Sequence, residues 1–295
     1  MDVKHTMLPT LLLMSCAMYC HSLSAIVAVS SPDLETTNTP THETGQKHVP
    51  GSFWQGRMSE DEHLAVSSAW LNDVRLTFKR RAHLWKGNII TDQSKKYLEL
   101  VQDPVLKIST VCETGFFLGV STHLWLWANP NMTVHSFDLN FDQNSLEDLT
   151  IRFPKPGHLF TYKGDSNLTI PNLPEAVVCD LISVDGSHDG WQPLYDFLLL
   201  SSHARCNHFS SSPTYVVFDD TFALPERFGD RDPATLPVDN NPDSRNWFNW
   251  CSRSYWYAVS RGFIQHVDCT LFSEKDGPYP KGFCMGTVKC PDLQN

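Results

Sequence analysis

The sequence lacks a surplus of positive charge. Its 295 residues hold 23 Lys and Arg against 33 Asp and Glu, a formal net charge of -10. Such a chain is a poor non-specific binder of nucleic acid or anionic membrane. No basic groove with interleaved aromatics stands out either. The nine cysteines include no CxxC pair, so a structural zinc site is not indicated. The histidines show no HxxxH or HxH spacing. The dinucleotide fingerprint GxGxxG is absent, which disfavours a nicotinamide oxidoreductase. There is no internal repeat, and no clearly membrane-spanning run of about 20 apolar residues.

What is present begins with a leader-like segment. Met7 to Cys20 is an apolar run, followed by small residues at Ser22, Ser24, Ala25 and Ala28. This layout predicts a secretory signal peptide over 1–28, with a signal-anchor as the alternative if the run extends to Val29. Residues 29–58 are poor in aromatics and rich in Ser, Thr and Pro, and read as a flexible stalk. One domain over 59–295 then remains, about 240 residues, a size that suits a single α/β unit. The expected location is secreted, or the lumen of the ER or Golgi. The sequons at Asn131 and Asn167 are compatible with a glycoprotein.

Seven cysteines follow the leader. Cys112 and Cys179 lie in apolar, strand-like runs and are expected to be buried free thiols. Disulfides are expected among Cys206, Cys251, Cys269, Cys284 and Cys290, with no pairing fixed.

Within the domain, Ser59 and nearby acids precede apolar residues at helical spacing (Leu64, Leu71, Val74, Phe78), and 93–102 reads as another helix. From Val105 onward, short β-branched runs alternate with helical stretches. This predicts a doubly wound, mainly parallel sheet. The last two runs are joined without a helix and should form an antiparallel hairpin.

Polar residues gather where these strands end, which is where open α/β sheets bind ligands. The first run ends in Glu113-Thr-Gly115-Phe-Phe-Leu-Gly119-Val-Ser121-Thr122. Gly115 permits a tight turn, Gly119 a close helix start, and Ser121 and Thr122 can bond to helix N–H groups. Later ends carry Asp138, Gly164-Asp165-Ser166, Asp185-Gly-Ser-His188 and Asp219-Asp220. Five successive strands ending in acids is hard to ascribe to packing, since strand-end carboxylates add nothing to a core.

This order of motifs resembles the class I S-adenosylmethionine-dependent methyltransferases. It is most similar to the small-molecule and sugar O-methyltransferase-like group known as methyltransferase domain, family 24. The resemblance covers about residues 105–290 and rests on VCETGFFLGVST, VHSFDL, GDS, DLISVDGSHDG and YVVFDDT. It implies a Rossmann-like sheet of seven strands, and S-adenosylmethionine as cofactor. It implies that Glu113 and the backbone from Gly115 to Gly119 hold the methionine end, that Asp138 binds the ribose, and that Asp165 and Ser166 lie beside the adenine. Asp185 would sit at the methyl-transfer centre. By likeness to catechol-type relatives, Asp185, Asp219 and Asp220 would hold Mg²⁺, and three carboxylates suit that hard cation. His188 is a candidate general base for an acceptor hydroxyl or a metal ligand; capping the next helix is the alternative. The acceptor implied is a small-molecule or glycan hydroxyl. The other reading is a secreted, non-catalytic binding protein that keeps the fold. The long segment 222–249 suggests a substrate lid or a plain surface insertion.

Overall fold

The computed structural model describes residues 59–78, 91–205, 212–221, 235–238, 249–272 and 281–289. The expected signal peptide, the stalk and most of the 222–249 segment lie outside the described residues.

Two helices precede the sheet. Helix α1 (Glu60–Thr77) starts at Ser59, whose side chain accepts from the Glu62 N–H while Glu62 reaches back to the Ser59 N–H. This capping box satisfies two otherwise orphaned donors. Trp70, Val74 and Phe78 recur at helical spacing and are buried. Helix α2 (Thr91–Gln102) buries Tyr97, Leu98 and Val101.

The sheet then forms from β1 (Thr110–Thr114), β2 (Thr133–Asp138), β3 (Leu159–Lys163), β4 (Leu181–Val184), β5 (Tyr215–Asp219), β6 (Ile264–Phe272) and β7 (Lys281–Val288). Their order is β3-β2-β1-β4-β5-β7-β6. The first five pair in parallel, while β7 runs antiparallel to both β5 and β6. The expected doubly wound sheet with its C-terminal hairpin is therefore present. Helices α3 (Val120–Ala128), α4 (Gln143–Arg152), α5 (Ser166–Thr169), α6 (Gln192–Ser201) and α7 (Trp250–Ser260) complete the unit. Two apolar clusters form the core. One joins α1, α2 and α3 to Val111, Val134 and Val217, and the other joins α6 and α7 to Ile182, Val184 and Phe218. Alternate residues of a strand face opposite sides, so neighbours such as Val217 and Phe218 serve different clusters.

The cysteines correct part of the sequence reading. Cys112 and Cys179 are not free thiols; they form a disulfide with Cα atoms 5.8 Å apart. Cys179 lies two residues before β4, and β4 pairs with β1, so the sheet brings the two within bridging reach. Cys269 and Cys284 are cross-strand partners in the hairpin and form a second disulfide. Cys251 is an unbridged, buried thiol. Cys206 and Cys290 lie outside the described residues.

Candidate active-site cleft

The strand order reverses between β1 and β4, and a ligand crevice is expected beyond their carboxyl ends. Register aligns those ends: Thr114 lies opposite Phe137 on one side and Val184 on the other. The next residues, Gly115, Asp138 and Asp185, therefore stand side by side. They line one cleft of about 750 Å³.

Gly115 has φ +92°, and a Cβ there would lie 1.9 Å from the Asp185 main-chain oxygen. Only glycine fits both the left-handed backbone and the contact. The loop continues through exposed Phe117 to Gly119, the N-cap of α3, which adopts φ +72° and supplies no side-chain cap. Ser121 lines the cleft. Thr122 does not cap the helix; its hydroxyl donates to Glu113.

Glu113 is absent from the cleft lining and is 1% exposed. The Thr122 hydroxyl and the Trp125 indole N–H, at 2.8 Å, donate to it. Burial pushes its pKa up, against the pull of those hydrogen bonds. It ties α3 to β1 from beneath rather than facing a ligand. This departs from its expected contact with a cofactor.

Asp138 accepts the Phe117 N–H at 2.8 Å and the Asn140 N–H at 2.9 Å, so its carboxylate braces the glycine loop. On the third side, Asp165 caps α5 by accepting the Asn167 N–H at 2.9 Å. The Ser166 hydroxyl donates to Asp196 Oδ1 at 2.7 Å, as does Gln192 Nε2. Asp196 is buried, and burial raises its pKa. The Asn167 amide, part of a sequon, donates to Asp165 Oδ1 and Gln192 Oε1 at 3.0 and 3.1 Å in the cleft wall. Sequence reasoning missed Asp196 and Gln192. They lie four residues apart on α6, a spacing that puts them on one helix face.

At the far end, Asp185, His188 and Asp220 converge. His188 Nε2 lies 3.6 Å from Asp185 Oδ1, and its Nδ1 lies 3.6 Å from Asp220 Oδ2. Burial disfavours the imidazolium. The attraction of Asp185, of the Cys251 sulfur and of the Asp220 charge outweighs it and raises the His188 pKa. The same thiol is pushed up chiefly by burial, with His188 pulling the other way.

Asp219 is placed differently from its neighbour. Both its oxygens accept from Gln93 Nε2 on α2, at 2.7 and 2.8 Å, and Oδ1 also accepts the Asp220 N–H. Asp220 itself has φ +49°, in the left-handed region that non-glycine residues seldom adopt. The expected trio Asp185, Asp219, Asp220 thus does not form one converging set of oxygens. Gln93, which sequence reasoning missed, holds Asp219, and His188 takes the third place beside Asp185 and Asp220.

The cleft has one further property. Its lining includes seven aspartates (138, 165, 185, 189, 196, 219 and 220) and no Lys or Arg among the described residues.

Solved structures share this architecture. The O-methyltransferase TomG from Streptomyces achromogenes, solved in complex with SAM, matches at 16% identity. The alignment covers 79% of this chain and 92% of TomG, with a TM-score of 0.50. The chain has the fold of the O-methyltransferases. A Bacillus cereus O-methyltransferase in complex with SAH matches at 18% identity, over 78% of this chain and 90% of that one, with a TM-score of 0.50. The SAH-bound methyltransferase PaMTH1 of Podospora anserina matches at 17% identity, over 79% and 97%, with a TM-score of 0.50. No family model and no curated protein sequence matches the chain.

Proposed function

We propose that the chain is an S-adenosylmethionine-dependent methyltransferase acting on a hydroxyl of a small-molecule or glycan acceptor. The observation that carries this reading is the charge of the cleft. A slot lined by aspartates, without a Lys or Arg, repels phosphates and attracts cations. A nicotinamide dinucleotide or nucleoside triphosphate suits it poorly. S-adenosylmethionine carries a sulfonium and an ammonium group and has no phosphate. The fold likeness supports the same class.

The residues suit that cofactor in turn. Backbone N–H and C=O groups of the loop from Gly115 to Gly119 would hold its methionine end, and Ser121 adds a hydroxyl at the start of α3. Asp138 would accept from the ribose hydroxyls. Exposed Phe117 and Leu139 at the cleft offer flat apolar cover for a purine, and Asp165, Ser166 and Gln192 offer polar partners for its edge.

The cofactor supplies an electrophilic methyl group. The chain's own residues bind it, align an acceptor oxygen with it, and stabilise the loss of the hydroxyl proton. Asp185, His188 and Asp220 form the acceptor end. Alignment contributes much of the rate in a displacement of this kind. Two disulfides fit the reading of a secreted or lumenal protein, because such bonds persist in oxidising compartments. The acidic surface argues against nucleic acid as acceptor. The test is saturable binding of S-adenosylmethionine to the folded chain, weakened by Asp138→Ala.

A further inference from the structure

We infer that the two sequons play opposite parts: Asn131 is the attachment site of an N-linked glycan, and Asn167 is a residue of the cleft wall whose amide stays bare. This rests on the secreted or lumenal reading. Only its consequence for cofactor binding rests on the methyltransferase reading.

Both motifs are complete, Asn131-Met132-Thr133 and Asn167-Leu168-Thr169. An N-glycan is joined through the side-chain amide nitrogen. What that nitrogen already does decides between the two sites.

Asn131 lies exposed on the turn between α3 and β2. Its main-chain N–H donates to Asn129 Oδ1 at 2.9 Å, and its Oδ1 accepts from Lys155 Nζ at 3.5 Å. Neither contact uses Nδ2, which donates to no group among the described residues. The turn stands at the start of β2, and Asp138 ends the same strand at the cleft. Five residue steps of strand, roughly 17 Å, separate the two ends. A glycan on Asn131 therefore stands at the end of the sheet opposite the cleft.

Asn167 is exposed too, so accessibility alone does not separate the sites. Its Nδ2 donates to Asp165 Oδ1 at 3.0 Å and to Gln192 Oε1 at 3.1 Å, which uses both hydrogens. Gln192 Nε2 in turn donates to Ser166 Oγ and to Asp196 Oδ1, and the Ser166 hydroxyl donates to the same Asp196 oxygen. Every side-chain N–H and O–H of Asn167, Gln192 and Ser166 is thus consumed within the wall. A sugar on Nδ2 takes the place of one hydrogen. It breaks the bond to Asp165 or to Gln192 and sets its ring against Asp165, Ser166 and Gln192, all of which line the cleft. The sequon hydroxyl is engaged as well, since Thr169 Oγ1 donates to the Asp165 carbonyl at 3.0 Å.

The sugar donor at Asn131 is an oligosaccharide carried on a lipid diphosphate. A bond forms from Nδ2 to C1 of the first sugar, and the C1–O bond to phosphate breaks. The amide proton is released, and the lipid diphosphate leaves with the electron pair.

The experiment is site mapping on the full chain, expressed with its own leader in a eukaryotic secretory host. Glycans are released by an amidase in heavy-oxygen water, which turns each carrying Asn into a labelled Asp, and peptides are read by mass spectrometry. The expected result is label at Asn131 in most chains and none at Asn167 in folded chains selected by gel filtration. Asn131→Gln should run lighter by one glycan on a denaturing gel. An unlabelled Asn131, a labelled Asn167 in folded chains, or unchanged mobility of Asn131→Gln overturns the inference. S-adenosylmethionine binding, measured separately on the same preparation, keeps the two readings apart. Cofactor binding without a glycan at Asn131 removes this inference alone; the expected glycan map without cofactor binding removes the methyltransferase alone.

Discussion

A Cβ atom at position 115 would lie 1.9 Å from the main-chain oxygen of Asp185. The end of β1 therefore lies close against the end of β4, with room there for glycine alone. Gly115→Ala must therefore both strain a φ of +92° and push the Asp185 carbonyl aside. We expect a loss of stability of about 1–3 kcal/mol from the backbone strain alone. Cofactor binding should fall with it. Urea unfolding and calorimetry on the same variant check both; unchanged stability would show that the ends of β1 and β4 do not press together.

Gln93 and Asp219 make the next case. They are 126 residues apart, and their hydrogen bonds are buried. Gln93→Leu would leave the carboxylate without its amide partner, at a cost of about 1–3 kcal/mol. Gln93→Glu should be worse still, because it sets a second carboxylate against the first. The midpoint of denaturant unfolding should fall in the order wild type, Leu, Glu.

How far these sites were visible in the sequence follows from how local each one is. Gly115, Asp138, Asp165 and Asp185 could be placed because each ends a short β-branched run, and strand ends converge in any doubly wound sheet. The C-terminal hairpin was legible from the missing helix between its strands. The Gln93–Asp219 pair and the Cys112–Cys179 bridge depend on which elements become neighbours, which local pattern does not encode. The surroundings of Glu113 were hidden for a related reason. Its place at a strand end suggested a ligand contact, but the strand's alternation turns its side chain under α3. The substitution of His188 for Asp219 among the converging groups needed the geometry of Gln93 to be seen.

The Cys112–Cys179 disulfide closes a loop with a sequence separation of 67 residues within the core. Replacing both cysteines by alanine should lower stability by about 2–5 kcal/mol. Thermal unfolding with and without a reductant should reproduce that loss in the wild type. A wild type indifferent to reduction would show the bridge to be absent or without effect.

His135 gives a pH signature remote from the cleft. Its ring stacks on Phe160 at 4.9 Å and pairs with the Tyr162 hydroxyl at 3.0 Å. Burial, reinforced by the nearby His203, lowers its pKa from 6.5 to about 4. Between those values the unfolded chain binds a proton that the folded chain does not, so this group's contribution makes stability fall as pH falls. Below about pH 4 both states are protonated, and the contribution stops changing. His135→Gln should flatten the stability profile between pH 6.5 and 4 relative to the wild type. Parallel profiles across that window would contradict the assignment.

The central claim is that this acidic cleft binds a sulfonium cofactor through Asp138. Titration calorimetry of S-adenosylmethionine into the folded, disulfide-intact chain tests it most directly, with NAD⁺ as the phosphate-bearing comparison. The account predicts saturable one-to-one binding of S-adenosylmethionine, no detectable NAD⁺ binding, and affinity reduced about tenfold or more by Asp138→Ala, in keeping with the loss of hydrogen bonds to a charged group. No heat from S-adenosylmethionine, equal binding of NAD⁺, or affinity untouched by Asp138→Ala in a folded variant would contradict it.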